Sequence, residues 1–194
     1  KTEVYLHLIR DVLAAGRQAL VLVPEIGLTP QLERRIQARL GAPMAVLHSG
    51  LGERERELAW RAAASGAAAL LLGTRSAVFA PLPRLGLVVV DEEHDLSFKQ
   101  QDGFRYSARD LAVRRAQRAG CPAILGSATP SLETLNSAQC GRYAWLRLTG
   151  RAGGARPPRL DLIDIRAQPL EGGLSRVLVR DLVAEIAAGN QVLL

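Results

Sequence analysis

The sequence predicts an α/β fold in which helices flank a mainly parallel sheet. Three observations carry that expectation. Short runs that are apolar at nearly every position recur along the chain, and segments of helical pattern fall between many of them. Small, hydroxyl-bearing or acidic residues gather where the apolar runs end. A run with no polar face reads as a strand buried on both sides. Alternation of such strands with helices gives a parallel sheet covered by helices on both faces. In such sheets ligands bind beyond the carboxyl ends of the strands.

In chain order, the amphipathic opening "KTEVYLHLIRDVL" starts a helix over Thr2–Ala15, followed by a strand at Ala19–Val23. A helix over Leu28–Leu40 leads to a strand at Met44–His48, and a helix over Gly52–Ser65 to a strand at Ala69–Gly73. Leu87–Val90 is the most apolar strand. Helix Ala108–Ala119 then leads to strand Ala123–Gly126, and helix Leu132–Gln139 to a strand at Ala144–Leu148. Ser107 and Ser131 stand at helix starts as N-caps, although Asp110 and Thr134 three residues on do not complete a capping box. The texture changes at "TGRAGGARPPRL", whose glycines and prolines read as a linker. A strand at Leu160–Ile165, a helix over Val177–Ala188 and the start of another strand in "NQVLL" follow. The expected organisation is a first domain over residues 1–148, a linker over 149–159 and the beginning of a second domain over 160–194.

The 194 residues suffice for one domain with a core, plus a fragment. No apolar run approaches the length of a membrane span, and the N-terminus lacks the basic and apolar regions of a signal peptide. The first residue is not Met, and we read the chain as a piece of something longer. Cys121 and Cys140 stand without CxxC spacing, which argues against a zinc site within the chain and fits a reduced, cytoplasmic compartment. A net charge of +6 and a pI near 10.1 point to a polyanionic partner. The Arg-rich, Ala-, Leu- and Gly-rich composition explains the charge equally well. The chain's only lysines, Lys1 and Lys99, draw notice in such a composition, because a site that needs a compact ammonium does not accept Arg.

The chemistry centres on "LGLVVVDEEHDLSF" (85–98), where a buried strand runs into Asp91, Glu92, Glu93, His94 and Asp95. Crowded carboxylates repel one another and lose solvation unless a cation or a reacting group offsets the cost. Asp91 at the strand end suits a nucleotide's Mg²⁺, held through one of its waters. Glu92 suits the orientation and deprotonation of an attacking water. The plain alternative is an exposed acidic turn. The opening pair Lys1-Thr2 matches the end of a phosphate-binding P-loop, in which Lys reaches phosphates and the hydroxyl holds Mg²⁺. Its only support is its position at a helix start, ahead of the acid-tipped strand.

"GSATPS" (126–131) places Ser127 and Thr129 after another buried strand, though a simple helix-start turn capped by Ser131 explains part of it. "GTRSA" (73–77) places Thr74 and Arg75 where hydroxyl and guanidinium can hold a phosphate backbone. In "SFKQQDGFRY" (97–106), Phe98, Phe104 and Tyr106 offer stacking faces, while Lys99 and Arg105 offer phosphate contacts. Base–aromatic stacking contributes about 1–3 kcal/mol per base and tolerates any sequence. Core packing is the alternative for the rings, but their irregular spacing among charged residues reads as a loop. His7 and His48 receive no chemical role.

Taken together, "DEEH", "GSATPS", "LVPEIGLTPQ" (22–31), "LHSGL" (47–51) and "GTRSA" resemble the motifs of superfamily-two helicases. The longer phrase "VVVDEEHDLSFKQQDGFRYSARDLAVRRA" resembles the PriA family of primosomal replication-restart helicases, and the resemblance runs over essentially the whole chain. It implies a RecA-like helicase lobe, clipped at the P-loop, plus the beginning of a second RecA-like lobe. It implies a DNA-dependent ATPase that unwinds with 3′→5′ polarity at stalled or repaired forks and helps to reload the replicative helicase. Lys1 and Thr2 would then contact ATP phosphates and Mg²⁺, with Asp91 as metal-binding acid and Glu92 as catalytic base. His94, Ser127 and Thr129 would couple the nucleotide site to DNA-driven movement. The segment 97–106 would be the aromatic-rich loop that senses single-stranded DNA. Partners would be single-stranded and forked DNA, single-strand-binding protein and other primosome proteins, with no membrane. Zinc would belong only to a missing downstream part. The piece alone is expected to lack appreciable ATPase activity. A duplex-DNA translocase that separates no strands, and a non-hydrolysing DNA-binding or interaction module, stand as the alternatives.

Overall fold

The computed structural model describes residues 1–150, 160–166 and 168–194. These fall into two compact units, Lys1–Arg147 and Leu148–Leu194. In the first, β1 (Gln18–Leu22), β2 (Met44–Leu47), β3 (Leu70–Gly73), β4 (Leu85–Asp91) and β7 (Ala123–Gly126) form one sheet, in the order β2-β3-β1-β4-β7. Every neighbouring pair in it is parallel. The helices of this unit are α1 (Thr2–Ala14), α2 (Pro30–Leu40), α3 (Glu53–Ser65), α4 (Ala108–Ala119) and α5 (Leu132–Gln139). A two-residue antiparallel pair, β5 (Lys99–Gln100) with β6 (Tyr106–Ser107), stands apart from the sheet.

The apolar runs are strands because both of their faces are covered. In β1, Leu20 and Leu22 pack with Ala63 of α3 and with Ala108, Ala112 and Ala116 of α4. Ala19 and Val21 point the other way, to Leu6 and Ile9 of α1 and Ile36 of α2. Val88 and Val90 of β4 join the first core, Leu87 and Val89 the second. This is the period-two alternation of a pleated strand with apolar residues on both sides.

Helix ends follow local chemistry. Thr29 caps α2 by accepting from the Leu32 amide, with Pro30 at the first helical position. The Glu55 carboxylate reaches back to the Gly52 amide at the start of α3. Ser107 and Ser131 cap α4 and α5 as expected, accepting from the amides of Asp110 and Thr134. At the opposite end of the sheet, wholly buried Gln18 donates to the carbonyls of Ala63 and Ala68 and accepts from the Arg84 amide. Its polar atoms are therefore satisfied without water.

Three expected strands do not form. Residues 144–148 lie outside any strand, and Trp145, Leu146 and Leu148 are exposed. The Trp145 ring lies under the Arg147 guanidinium, 4.4 Å from its centroid. Residues 161–165 and the terminal "NQVLL" are likewise outside any strand. Apolar content without a neighbouring strand to supply hydrogen bonds does not make a sheet. Most of the expected linker, residues 151–159, lies outside the described residues. The second unit contains a small hairpin, β8 (Leu170–Glu171) with β9 (Leu174–Ser175), and α6 (Arg176–Ala187), capped by Ser175.

Candidate functional site

All five parallel strands end at one edge, and the helicase-like motifs lie at or just beyond those ends. Asp91 closes β4 and stands level with Gly126 of β7. The polypeptide then turns sharply, because Glu92 takes φ 47°, the only described non-glycine residue in left-handed backbone. Such a conformation costs about 1–3 kcal/mol and persists where the surroundings impose it. Its neighbours do so. Asp91 Oδ1 accepts from the Tyr5 hydroxyl at 3.0 Å and from the Glu92 amide at 3.1 Å. The Glu93 amide donates to the Gly126 carbonyl at 3.1 Å.

Lys1 and Thr2 open α1 beside this turn. Lys1 Nζ lies 2.5 Å from Glu92 Oε1 and 3.7 Å from Asp91 Oδ1, so the cation and both carboxylates meet. Tyr5, one turn further along α1, orients Asp91. Burial, and then the adjacent Asp91 charge, push its hydroxyl far above the ordinary phenol range, so it remains a proton donor. Both hydrogen bonds to Asp91 fall on Oδ1, and Oδ2 has no partner among the described residues. A lone carboxylate oxygen, an ammonium and the uncapped first turn of a helix make a donor set fit for a phosphate with its Mg²⁺. A cavity of about 420 Å³ opens here, lined by Val23, Pro24, Gly27, Leu32, Asp91, Glu92, His94 and Asp95.

His94 bridges outward. Its Nδ1 is 2.7 Å from Ser127 Oγ, and its Nε2 is 3.4 Å from Thr129 Oγ1. Nδ1 also lies 3.7 Å from Glu92 Oε2. The structure thus brings together Lys1, Asp91, Glu92, His94, Ser127 and Thr129, with Thr2 beginning the adjoining helix.

Gly126 is required at its position. A Cβ there would stand 1.6 Å from the Tyr5 hydroxyl and 3.3 Å from Asp91 Oδ1. Gly126→Ala is therefore expected to displace Tyr5, destabilise the first unit by about 1–3 kcal/mol and weaken nucleotide binding. A thermal melt paired with a nucleotide titration checks this, and no change in either would refute it.

The aromatic segment divides. Phe98 is 1% exposed and belongs to the core, so it has no face to offer DNA. This corrects its expected stacking role: a short 3-10 turn, Leu96–Phe98, capped by Asp95, drives the ring inward. Thr74 is also corrected, being buried where "GTRSA" leaves β3, with its amide donating to the Leu47 carbonyl. Arg75 is half-buried, and its Nη1 donates to the carbonyls of Ser97 and Lys99. It braces the loop and is not held out towards solvent. Phe104, by contrast, is 79% exposed, and Lys99 and Arg105 are exposed beside it. The β5–β6 pairing closes this segment into a hairpin, and a groove of about 630 Å³ is lined by Lys99–Asp102 and Arg105–Ser107.

Sequence reading missed three participants. Phe79 meets Tyr106 edge-on at 4.8 Å between ring centroids, and Phe104 lies 6.1 Å from Tyr106. Tyr5 had a signal, since four residues after Lys1 is one turn along the same helix face. Arg109, whose Nη1 donates to Glu93 Oε2 at 3.2 Å and to Ser131 Oγ at 2.7 Å, had none, because both partners are distant in sequence. His7 and His48 make local bonds, to the Glu3 carbonyl and from the Gly50 amide respectively.

A family model described as DEAD/DEAH box helicase matches residues 1–138. Replication restart protein PriA of Haemophilus influenzae is 48% identical, over 100% of this chain and 27% of that protein. PriA of Bacillus subtilis is 44% identical, over 100% of this chain and 24% of that protein. The chain spans about a quarter of the length of these curated relatives. Among solved structures, RecG bound to a three-way DNA junction matches with a TM-score of 0.51 at 23% identity, covering 72% of this chain and 18% of that one. That likeness concerns the RecA-like fold of the first unit. No helix among the described residues is long and apolar enough to cross a membrane. On the extent of the family match, the chain belongs to the DEAD/DEAH box helicase family, and within that family its likeness is to PriA.

Proposed function

We propose that the chain is the ATP-binding first lobe, with the beginning of a second, of a DNA helicase that moves 3′→5′ and acts at stalled or repaired forks in primosome assembly and replication restart. One observation carries the reading: the ammonium of Lys1, the carboxylates of Asp91 and Glu92 and the His94–Ser127–Thr129 cluster meet at the carboxyl edge of one parallel sheet. Mg²⁺-ATP, when bound, supplies the phosphoryl group to be transferred. Lys1 would hold its phosphates, with the Thr2 hydroxyl and Asp91 holding the metal. Glu92 would orient the attacking water and take its proton. His94 would carry changes at Glu92 to Ser127 and Thr129. Phe104 and Tyr106 would stack on single-stranded bases, with Lys99 and Arg105 on the flanking phosphates. By the likeness to PriA, single-strand-binding protein and other primosome proteins are the partners and the cytoplasm is the compartment.

The test is unwinding by the full-length protein of duplexes carrying a single-stranded tail. With ATP and Mg²⁺, a 3′-tailed duplex and a fork are expected to open, while a 5′-tailed duplex stays closed. Opening only the 5′-tailed duplex would reverse the polarity. DNA-stimulated hydrolysis with movement along duplex but no strand separation would identify a translocase instead.

A further inference from the structure

The hydrolytic reading leaves Glu93 without work. It is buried, with 1% side-chain exposure, against two segments distant from it in sequence, the start of α4 and the start of α5. Its Oε1 accepts from the Ser131 amide at 2.8 Å. Its Oε2 accepts from the Ser131 hydroxyl at 3.0 Å, the Thr134 hydroxyl at 2.8 Å and Arg109 Nη1 at 3.2 Å. Arg109 Nη1 also donates to Ser131 Oγ at 2.7 Å, and its Nε donates to Asp110 Oδ1 at 2.8 Å. Burial works against the Arg109 charge, but the bonds and charges of Asp110 and Glu93 outweigh it and hold the guanidinium above its ordinary range.

The placement of these groups gives the pair more than a packing role. Arg109 is the second residue of α4, whose cap, Ser107, is the last residue of β6. The hairpin that carries Phe104 therefore ends two residues before Arg109. Ser131 follows the segment that holds Ser127 and Thr129, and begins α5. Glu93 directly follows Glu92, whose left-handed backbone needs both flanking residues anchored. A shift of the hairpin moves the start of α4, and with it the guanidinium bonded to Glu93. Buried ion pairs stabilise little relative to an apolar pair of the same shape, so the geometry they fix is the better account of this one.

We propose that Glu93 and Arg109 are positioning residues that transmit the state of the aromatic hairpin to Glu92 and to the Ser127–Thr129 segment. They set how far DNA accelerates hydrolysis without touching nucleotide or DNA. The proposal rests on the reading of the chain as part of a DNA-stimulated ATPase.

The experiment compares the full-length protein with Glu93→Gln/Arg109→Gln, Arg109→Lys and Ser131→Ala. The double variant removes both charges at once and so leaves no unpaired ion in the core. Ser131→Ala removes one hydroxyl and keeps the ion pair, which guards against a double variant that does not fold. For each, the melting temperature, the affinity for a non-hydrolysable ATP analogue with Mg²⁺, the affinity for a fluorescent oligonucleotide and the ATPase rate across a DNA titration are measured. The double variant is expected to keep both affinities within about twofold and lose at least tenfold in DNA-saturated kcat. Arg109→Lys should recover part of that loss, and Ser131→Ala should lose a few-fold in kcat with the half-saturating DNA concentration unchanged. Full DNA-saturated kcat in folded variants would overturn the proposal. Loss of kcat only in step with melting temperature and both affinities would also overturn it, in favour of a purely structural pair. An unaltered protein whose ATPase ignores DNA would instead overturn the functional reading beneath it.

Discussion

Glu92→Gln in the full-length protein should reduce DNA-stimulated ATP hydrolysis by about 10²–10⁴-fold, the usual contribution of a positioned general base. Gln has the shape of Glu and can still orient a water, but it cannot accept the proton. The same substitution should leave Mg²⁺-ATP affinity intact or slightly raised. Lys1 Nζ is paired with Glu92 Oε1 at 2.5 Å, and that contact has to break before the ammonium can reach a phosphate. Without the carboxylate, the exchange costs less. Titration with a fluorescent ATP analogue, beside a steady-state assay, checks both halves. Turnover near that of the unaltered protein would remove Glu92 from the role of base.

Phe98→Ala should destabilise the first unit by about 3–5 kcal/mol, the range for truncating a buried Phe. With a shift of roughly 2–4 °C per kcal/mol for a domain of this size, the melting temperature should fall on the order of 10 °C, and every activity should fall with it. Phe104→Ala, six residues on, should do the reverse. Its ring is 79% exposed, so melting should barely change while stimulation by single-stranded DNA is blunted and nucleotide affinity holds. Equal melting of the two variants would contradict the burial difference. Full stimulation in a stable Phe104→Ala protein would leave the hairpin without its sensing role.

The sheet was legible in the sequence because strands covered on both faces must be apolar without interruption, as Leu87–Val90 is. Boundaries moved by a residue or two, and the serine caps fell where their chemistry requires. The apolar stretches at 144–148 and 160–165 misled for a related reason. Composition reports that a segment avoids water, but a strand also needs a neighbour for its backbone. The gathering of Asp91, Glu92, His94, Ser127 and Thr129 was legible because strand ends in a parallel sheet share an edge. The inward turn of Phe98 and the engagement of Arg75 were not, since irregular segments have no period from which to read a facing. Glu93 and Arg109 belong to the same class: only the folded backbone brings residues 93, 109 and 131 together.

The order of the central sheet also bears on how the protein is made. Ala19 of β1 stands opposite Leu70 on one side and Leu87 on the other. At about 5–20 residues per second, a ribosome needs several seconds after releasing β1 to deliver its first neighbour, and longer to deliver the second. Throughout that interval the nascent chain displays Leu20, Val21 and Leu22 with no partner on either edge. Parallel pairings between distant segments form slowly even once both are free. Of the five strands described in this sheet, the first in sequence therefore waits for both of its neighbours and depends most on shelter during synthesis. Substitutions that raise its stickiness should lower the yield of soluble protein well before they lower the stability of the finished fold.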